Sequence, residues 1–296
     1  MTFKSGFVTI IGRPNVGKST LLNRLIGKKI AIVSDKPQTT RNRIQAIKNY
    51  PEGQVIFIDT PGIHKPIYKM NQYMLKTAMS ALVGMDIILV MMDATEPPGK
   101  GDLFVIEALP KGNEKKYLVL NKCDLLKKQD ILLAITKYSE IGTFSDIFPL
   151  SALDGYNVSE LESAILSSLQ EGPQYFETDK VTDQSDSFLA AEIIREKVLS
   201  ETREELPYAT AVSIEMWEEN DDHHRVHAVI YVEKDSQKGI IIGSGGQKLK
   251  KIGTEARIEL EKIFGAKFYL NLWVKVKPRW RDDDRLLREM RISEEE

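Results

Sequence analysis

Short apolar runs alternate with longer helix-like segments along the first part of the chain. Five runs are dominated by apolar residues and predict strands buried on both faces of a sheet: Phe7–Ile11, Gln54–Ile58, Ile87–Met92, Tyr117–Leu120 and Ile147–Leu150. The segments between and after them predict helices: Thr20–Ile26, Tyr68–Leu82, Gly101–Leu109, Asp130–Tyr138 and Ser159–Leu169. This alternation predicts a doubly wound α/β domain with a mainly parallel sheet.

The pattern changes after Gly172-Pro173, where a polar and acidic stretch has no clear period. We predict a linker over residues 173–186, between a first domain over 1–172 and a second over 187–281. The second domain has the order helix, strand, strand, helix, helix, strand, which predicts an α+β fold. Its clearest predicted elements are Ser187–Glu204, Ala209–Trp217, Arg225–Val232, Gln247–Phe264 and Phe268–Lys277. Residues 282–296 are predicted to form a charged tail.

Composition narrows the class of protein. The 296 residues are 42% hydrophobic and 28% charged, as in ordinary globular proteins. No apolar run approaches the roughly 18 residues that a membrane span needs, and the amino terminus lacks the apolar core of a signal peptide. The single cysteine, Cys123, suits a reducing compartment. A cytoplasmic location is therefore expected.

Charge is strongly segregated along the chain. The net charge of −2 includes −10 over residues 177–233, +8 over 234–281 and −4 over 282–296. A basic block between two acidic ones predicts a localised site for a polyanion, and a solvated helix face is the alternative.

The segment Gly12–Ser19 matches the phosphate-binding loop G-x-x-x-x-G-K-[ST], between a predicted strand and a predicted helix. Glycines let backbone N–H groups wrap a phosphate chain, and the following helix N-terminus favours anions. Lys18 is predicted to neutralise phosphate charge and Ser19 to bind Mg²⁺. The loop residues predicted to bind nucleotide are Gly12, Asn15, Val16, Gly17, Lys18, Ser19 and Thr20.

The segment Asp59-Thr60-Pro61-Gly62 follows the next apolar strand. Asp59 is predicted to hold Mg²⁺ through a water molecule, while the Gly62 N–H contacts the terminal phosphate. By itself this tetrapeptide is an ordinary turn.

Two later segments point to the base. In Asn121-Lys122-Cys123-Asp124, the Asp124 carboxylate can accept both the N1–H and the N2 amine of guanine, which adenine does not offer. Asn121 is expected to tie this segment to the phosphate loop, and the Lys122 stem to lie along the base. Ser151-Ala152-Leu153, after another strand, is expected to meet the guanine oxygen. A polar strand-to-helix connection is the alternative for an isolated match.

These four motifs, in this order and each after a strand, resemble the Ras-like, translation-factor-related GTPases over about residues 6–172. In that family a threonine between the phosphate loop and DxxG closes onto Mg²⁺ and the terminal phosphate. The resemblance implies this role for Thr40, with Thr39 as the rival. The metal-binding set is then Ser19, Thr40 and Asp59, and the residues expected to act in hydrolysis are Lys18, Thr40 and Gly62.

One position departs from the Ras-like pattern. Ras-like enzymes usually place a water-orienting glutamine directly after DxxG, whereas this chain has Ile63. Slow intrinsic hydrolysis is expected. Relatives with asparagine at the position of Asn15 can coordinate K⁺ near the phosphates, and the alternative is an asparagine that satisfies its own loop. His64 is expected to be exposed rather than to act as a base.

Two further chemical candidates have plainer interpretations. Cys123 is expected to be a small buried residue rather than a reactive thiol. His223 and His224 beside Asp221 and Asp222 suggest a metal site, but a charged hairpin turn is the favoured interpretation.

The second domain carries Gly243-x-x-Gly246 between an apolar turn and a basic helix. With the order of its elements, this loop resembles the type II KH domain, whose GxxG loop lets single-stranded nucleic-acid backbone approach closely. Aromatics are not interleaved with the lysines, so base stacking is not strongly indicated, and sequence choice is expected to come from hydrogen bonds in the groove. Residues 275–281 either extend the RNA contact or form a solvated end whose Trp280 packs on the domain. The RNA-binding set is Ile242, Gly243, Ser244, Gly245, Gly246, Lys248, Lys250, Lys251, Lys275, Lys277 and Arg279.

The two domains together resemble the bacterial Era GTPases along nearly the whole chain, with PQTTR, DTPG followed by Ile-His, NKCD and the closing LWVKVK…W-R. The resemblance implies a monomeric switch protein that uses GTP/GDP and Mg²⁺. It also implies binding to the 3′ end of 16S rRNA, action in assembly of the small (30S) ribosomal subunit, and peripheral membrane association. The alternative is an RNA-binding module in which GTP is only structural.

Overall fold

A computed structural model of the chain describes residues 2–220 and 223–292. By its contacts the chain forms two compact units. The first is made of residues up to 31, of 40–66 and of 74–183. The second is made of the chain from residue 184 onward together with two segments from the amino-terminal half, 32–39 and 67–73.

The first unit contains a six-stranded sheet with strand order β2-β3-β1-β4-β5-β6. Only β2 runs antiparallel to its neighbour, so the predicted, mainly parallel sheet is confirmed. The sequence analysis missed β2 because polar residues interrupt its apolar positions. The strands are β1 (Lys4–Gly12), β2 (Ile44–Tyr50), β3 (Gly53–Asp59), β4 (Ile87–Asp93), β5 (Lys115–Asn121) and β6 (Asp146–Pro149).

Helices flank this sheet and bury two apolar clusters against its faces. Successive residues of one strand point to opposite faces, so Ile10 belongs to one cluster and Ile11 to the other. The helices are α1 (Lys18–Ile26), α2 (Lys69–Ser80), α3 (Lys100–Glu107), α4 (Lys128–Ser139) and α5 (Val158–Ser168). As in other doubly wound folds, the predicted nucleotide motifs follow the carboxyl ends of the strands.

The stretch predicted as a linker is attached to the first unit through residue 183. The buried Gln54 side chain accepts hydrogen bonds from the Tyr175 and Phe176 N–H groups, at 2.9 and 3.0 Å. The Ile47 N–H donates to the Val181 carbonyl at 2.8 Å, on β2. The chain thus runs along β2 and β3 before it enters the second unit.

The second unit contains a three-stranded sheet of order β7-β8-β9, with β7 antiparallel and β9 parallel to β8. Helices cover one face of it and bury a third apolar cluster. This is the predicted type II KH arrangement. The elements are α6 (Asp186–Glu201), β7 (Ala211–Glu219), β8 (His223–Val232), α7 (Asp235–Ile242), α8 (Gln247–Phe264), β9 (Lys267–Val276) and α9 (Asp284–Glu289).

The carboxyl-terminal residues differ from the predicted charged tail. Trp280 is fully buried, and its indole N–H donates to the Ala209 carbonyl at 2.8 Å. Helix α9 follows, with Leu286 and Leu287 buried. Residues 293–296, the end of the predicted tail, lie outside the described residues.

The predicted hairpin joins β7 to the antiparallel β8, but the two histidines lie in strand β8 rather than in its turn. His223 and His224 begin strand β8, and His224 is buried against the rings of Trp217, Phe264 and Phe268. Asp221 and Asp222 lie outside the described residues. Among the residues that the structure describes, no group of three or more His, Cys, Asp or Glu side chains could hold a metal ion. Within the same part of the chain, no helix is both long enough and apolar enough to cross a membrane.

Candidate nucleotide and nucleic-acid sites

The phosphate loop lies between β1 and α1, as predicted. Gly17 has φ 103°, a left-handed conformation, and a Cβ there would collide with the Asn121 side chain. Glycine is therefore required both for the turn and for close approach. Asn15 also has a positive φ of 64°, Val16 is buried and Thr20 is half-buried.

Lys18 spans the loop from inside. Its Nζ donates to the carbonyls of Gly12 and Arg13, at 3.3 and 2.9 Å, and the side chain is buried. Burial lowers the pKa of Lys18 to about 8, although the neighbouring Asp59 carboxylate opposes the shift. The buried Lys18 ammonium has already lost most of its water shell, so it can pair with a phosphate oxygen with little further desolvation.

Three oxygen groups meet at the end of β3. Ser19 Oγ donates to Asp59 Oδ2 at 2.6 Å, and Thr40 Oγ1 lies 2.7 Å from Ser19 Oγ and 3.4 Å from Asp59 Oδ2. Thr39 Oγ1 turns away and donates to the Lys36 carbonyl at 2.6 Å. The geometry therefore favours Thr40 over Thr39 as the third member of the group.

This group suits Mg²⁺. Oδ1 of Asp59 is buried and, among the described residues, has no hydrogen-bond partner. Burial raises the pKa of Asp59, while Lys18 and the two hydroxyls act in the opposite direction. A buried carboxylate oxygen without a partner beside two hydroxyls offers the hard oxygen ligands that Mg²⁺ prefers. Ser19 and Thr40 would hold the ion, with Asp59 acting through water, and the ion would neutralise charge on the phosphates.

The DxxG segment packs directly against the phosphate loop. A Cβ on Gly62 would lie 2.7 Å from the Pro14 nitrogen, so only glycine permits this approach. The Ile63 N–H donates to the Gly12 carbonyl at 3.1 Å, and the Ile63 side chain is buried in the apolar cluster. His64 is half-buried rather than fully exposed, with Nδ1 3.0 Å from the Lys65 carbonyl.

Asn121 joins the three loops of the nucleotide site. Its Nδ2 donates to the Val16 carbonyl at 2.7 Å, and its Oδ1 accepts from the Ala152 N–H at 2.9 Å. Since both ends of one buried amide are used, the phosphate loop, the base-selecting segment and the Ser151–Leu153 loop are held in one geometry.

The base-selecting side chains follow β5. Lys122 Nζ pairs with Asp93 at 2.5 Å, and Asp124 is exposed, with its carboxylate accessible to a base. Cys123 is buried, donates to the Leu120 carbonyl at 3.3 Å and has a pKa raised to about 11 by burial, as expected for an inert thiol.

The Ser151–Leu153 loop has a support that the sequence analysis missed. Ser151 and Ala152 are buried and Leu153 is 70% exposed. Arg24, on α1, donates to the carbonyls of Ala152 and Leu153. No local motif identifies this arginine, since its partners are backbone atoms more than a hundred residues away.

The GxxG loop lies between α7 and α8. Gly243, Gly245 and Gly246 have φ of 72°, 55° and 77°, which L side chains rarely adopt. A Cβ on Gly243 would lie 2.8 Å from Cβ of Lys248, whereas Cβ atoms on Gly245 and Gly246 would meet open space. The last two glycines therefore leave room for a backbone to approach. Ser244 lies between them and Gly243, and Ile242 packs on the apolar cluster.

A groove of about 380 Å³ begins at this loop and runs between α8 and β9. Its cations are Lys250 and Arg257, and the Arg257 guanidinium is paired with the Glu261 carboxylate at 2.9 Å. Arg257 was not predicted, nor were the groove residues Leu270, Asn271 and Leu272 of β9, where the alternating pattern indicates only a strand. The lining residues are Gly246, Leu249, Lys250, Gly253, Thr254, Arg257, Leu270, Asn271 and Leu272.

Other predicted RNA-binding cations lie outside this groove. Three of them pair with carboxylates: Lys251 with Glu201 at 2.7 Å, Lys275 with Glu215 at 2.6 Å and Lys277 with Asp283 at 2.9 Å. These exposed pairs contribute little to stability, so a phosphate could compete for each lysine. Lys248 lines a separate cavity, and Arg279 is exposed with φ 54°.

Residues 32–39 and 67–73, next to the nucleotide motifs in the sequence, belong to the second unit. Arg195, on α6, donates to the Thr39 carbonyl, and the Glu196 carboxylate accepts from the Val33 N–H at 2.9 Å. In the second segment, Lys69 pairs with Asp284 at 2.5 Å. The Arg281 guanidinium also lies 3.7 Å from the centre of the Tyr68 ring.

Comparison with known proteins agrees with this geometry. A family model described as a 50S ribosome-binding GTPase matches residues 7–122, and a KH domain model matches residues 205–281. GTPase Era of Staphylococcus haemolyticus is 48% identical over 294 residues, covering 99% of this chain and 98% of that protein.

Two solved structures are similar over nearly their full length. One is Era in complex with MgGDPNP and nucleotides 1506–1542 of 16S ribosomal RNA, with a TM-score of 0.95, 41% identity and coverage of 98% of this chain and 99% of that one. The other is a variant of Aquifex aeolicus Era bound to GDP and AlF4⁻, with a TM-score of 0.94, 41% identity and coverage of 98% and 100%.

Proposed function

The chain belongs to the Era family of GTPases, and we propose that it is a switch protein in which GTP, bound with Mg²⁺, controls RNA binding by the KH domain. The RNA is the 3′ region of 16S ribosomal RNA, because the relative with a TM-score of 0.95 holds nucleotides 1506–1542 of that RNA. The process is assembly of the small (30S) subunit, in the cytoplasm and by a monomer. Peripheral association with the membrane stays a prediction from the family resemblance alone.

One observation carries the coupling of the two sites. Thr40, in the first unit, meets Ser19 and Asp59, while the preceding residue, Thr39, has its carbonyl bound by Arg195 of the second unit. Thr39 and Thr40 share one peptide bond, so fixing Thr40 restricts the positions that the Thr39 carbonyl can take. A γ-phosphate and Mg²⁺ that fix Thr40 would therefore act on α6 through a single peptide bond.

The decisive experiment compares RNA affinity in two nucleotide states. Binding of the 16S segment 1506–1542 would be measured with a non-hydrolysable GTP analogue and with GDP. We expect tighter binding with the analogue, by the roughly 5- to 150-fold typical of allosteric coupling. The Lys18→Ala variant, which should no longer bind nucleotide, is expected to keep one intermediate or GDP-like affinity under both conditions. Equal affinities in the unmodified protein would contradict the coupling.

Hydrolysis is expected to be slow without help. Ile63 is buried in the apolar cluster and has no side-chain atom that could orient water. Asn15 has an exposed side chain on the phosphate loop, in the position where relatives can use K⁺. We propose that K⁺ supplies part of the missing charge stabilisation.

The alternative, in which GTP is only structural, also follows from Ile63. Single-turnover hydrolysis measured in K⁺ and in Na⁺, with and without the 16S segment, separates the two. Acceleration by K⁺ and RNA supports the switch, whereas an unchanged basal rate in all four conditions favours a structural nucleotide.

A further inference from the structure

The face of β9 that points away from the helices carries a regular series of side chains. Alternate residues such as Phe268 and Val274 are buried in the apolar cluster, and the residues between them are exposed. Tyr269 is 58% exposed and Trp273 45%. Both rings lie on the same face of the sheet, where aromatic rings can serve as stacking platforms for bases. In chain order the exposed positions are Lys267, Tyr269, Asn271, Trp273 and Lys275: basic, aromatic, amide, aromatic, basic.

Strand β8 holds both rings by edge contacts. The centre of the Tyr269 ring lies 5.0 Å from that of His223 at an angle of 89°, and the Trp273 ring lies 5.1 Å from His227 at 67°. Such edge-to-face pairs restrict ring rotation. The rings therefore lose little further freedom when a ligand stacks on them.

The same strand also forms one wall of the nucleic-acid groove. Asn271 lines that groove together with Leu270 and Leu272, and its Nδ2 lies 3.1 Å from His227 Nε2 on the exposed sheet face. The groove and the aromatic face are thus continuous through Asn271.

We propose that the exposed face of β9 is a second RNA surface, on which bases of a single strand leaving the groove stack on Tyr269 and Trp273. Every base has a flat face that can stack on an aromatic ring, so Tyr269 and Trp273 could bind bases of any sequence. Lys267 and Lys275 supply positive charge for the phosphates. Tyr269 and Trp273 are four residues apart on β9, a distance of about 13 Å along the strand. Each ring therefore stacks on a different base. The proposal rests on the proposed function, in that the groove must hold RNA.

The test uses the full chain with a GTP analogue and two kinds of RNA. The long probe is the 16S segment 1506–1542, and the short probes are hexanucleotides that tile it. The variant is the double substitution Tyr269→Ser and Trp273→Ser. The control is Ile258→Ser, an exposed apolar residue on α8 that is 56% accessible and lies outside the groove lining. Circular dichroism melting establishes that each variant is folded.

We expect the double variant to bind the long probe at least about fivefold more weakly, as the loss of base stacking predicts. Its affinity for the tightest hexanucleotide, and both affinities of the control, should be unchanged. Unchanged affinity for the long probe would overturn the proposal, including when the face then proves to bind a protein or a second copy of the chain. Failure of the unmodified protein to bind any hexanucleotide or the long probe would instead contradict the proposed function.

Discussion

Single side chains decide which ligand the nucleotide site accepts. Asp124 is exposed at the end of β5 and is placed by a segment that Asn121 ties to the phosphate loop. The carboxylate is expected to accept two guanine donors.

The substitution Asp124→Asn tests that role. An amide presents one donor and one acceptor, which suits xanthine, so we expect nucleotide preference to move from GTP to XTP by at least about a hundredfold in the ratio of dissociation constants. Competition with a fluorescent nucleotide measures both. The control Asp130→Asn, on α4 outside the motif, should leave the preference for GTP intact. A variant that still prefers GTP would refute the assignment.

Lys18 gives the nucleotide site a characteristic pH dependence. Its pKa is about 8 in the nucleotide-free protein, against about 10.4 in an unfolded chain. The unfolded state therefore binds more protons between these values, and this group makes the fold more stable as pH rises from about 8 to 10.4.

Phosphate beside the ammonium should restore the higher pKa. Nucleotide binding at pH 8.5 is then expected to take up about three quarters of a proton, whereas binding at pH 7 takes up almost none. Titration calorimetry in two buffers of different ionisation enthalpy measures the uptake. Equal uptake at the two pH values would show that another group is responsible.

At this scale, the sequence predicted the side chains that the structure gathers around the phosphate loop and missed those that hold the loops in place. Gly17, Lys18, Asp59, Asn121 and Thr40 all lie where the motifs indicate. Arg24 and Arg195 act on backbone carbonyls far away in the chain, and backbone partners leave no trace in the sequence.

Among the elements, α6 carries the contact on which the proposed coupling of nucleotide and RNA depends. Arg195 is almost fully buried, and its guanidinium contacts both Glu192 and the Thr39 carbonyl.

The substitution Arg195→Ala should weaken this connection. We expect the ratio of RNA affinities between the GTP-analogue and GDP states to fall towards one, while GTP itself still binds. The control Arg285→Ala removes an arginine of the same unit that is exposed on α9 and should preserve the ratio. A full ratio in the Arg195 variant would show that coupling follows a different route.

Trp280 anchors the last residues of the basic block, residues 234–281, in the KH domain. Because its ring is fully buried and its N–H is bonded to Ala209, Trp280→Ala should lower the free energy of unfolding of this unit by about 3–5 kcal/mol. Urea denaturation followed by circular dichroism measures the loss. Trp273→Ser, at an exposed ring of the same unit, should cost less than about 1 kcal/mol.

The sequence predicted the elements that have a clear apolar pattern. It was less accurate where polar or charged residues interrupt that pattern. The strands with a continuous apolar run, β3, β4 and β5, were found within about two residues at each end. Strand β2, at the edge of the sheet, was missed because Gln45, Lys48 and Asn49 interrupt its apolar positions. The charges beside His223 and His224 indicated a turn, but burial against three aromatic rings outweighs local polarity for His224.

On the scale of the whole molecule, the basic and acidic blocks of the sequence correspond to different parts of the structure. The basic block of residues 234–281 contains the GxxG loop, the groove and β9. The acidic residues before it partly serve to hold its lysines, as Glu201 and Glu215 do. The sequence therefore indicated where a polyanion binds, while the continuity of groove and sheet face required the fold.

If the contact between Arg195 and the Thr39 carbonyl couples the two sites as proposed, it also determines how RNA affects the bound nucleotide. A coupling free energy acts equally on both ligands, so RNA bound to the KH domain must raise the affinity for GTP by the factor by which GTP raises the affinity for RNA. In the proposed switch, ribosomal RNA bound to the KH domain would slow the loss of GTP. An RNA whose 3′ end does not fit the KH domain would not raise the affinity for GTP, so the nucleotide could dissociate. The peptide bond between Thr39 and Thr40 would then let the protein distinguish RNA that fits from RNA that does not.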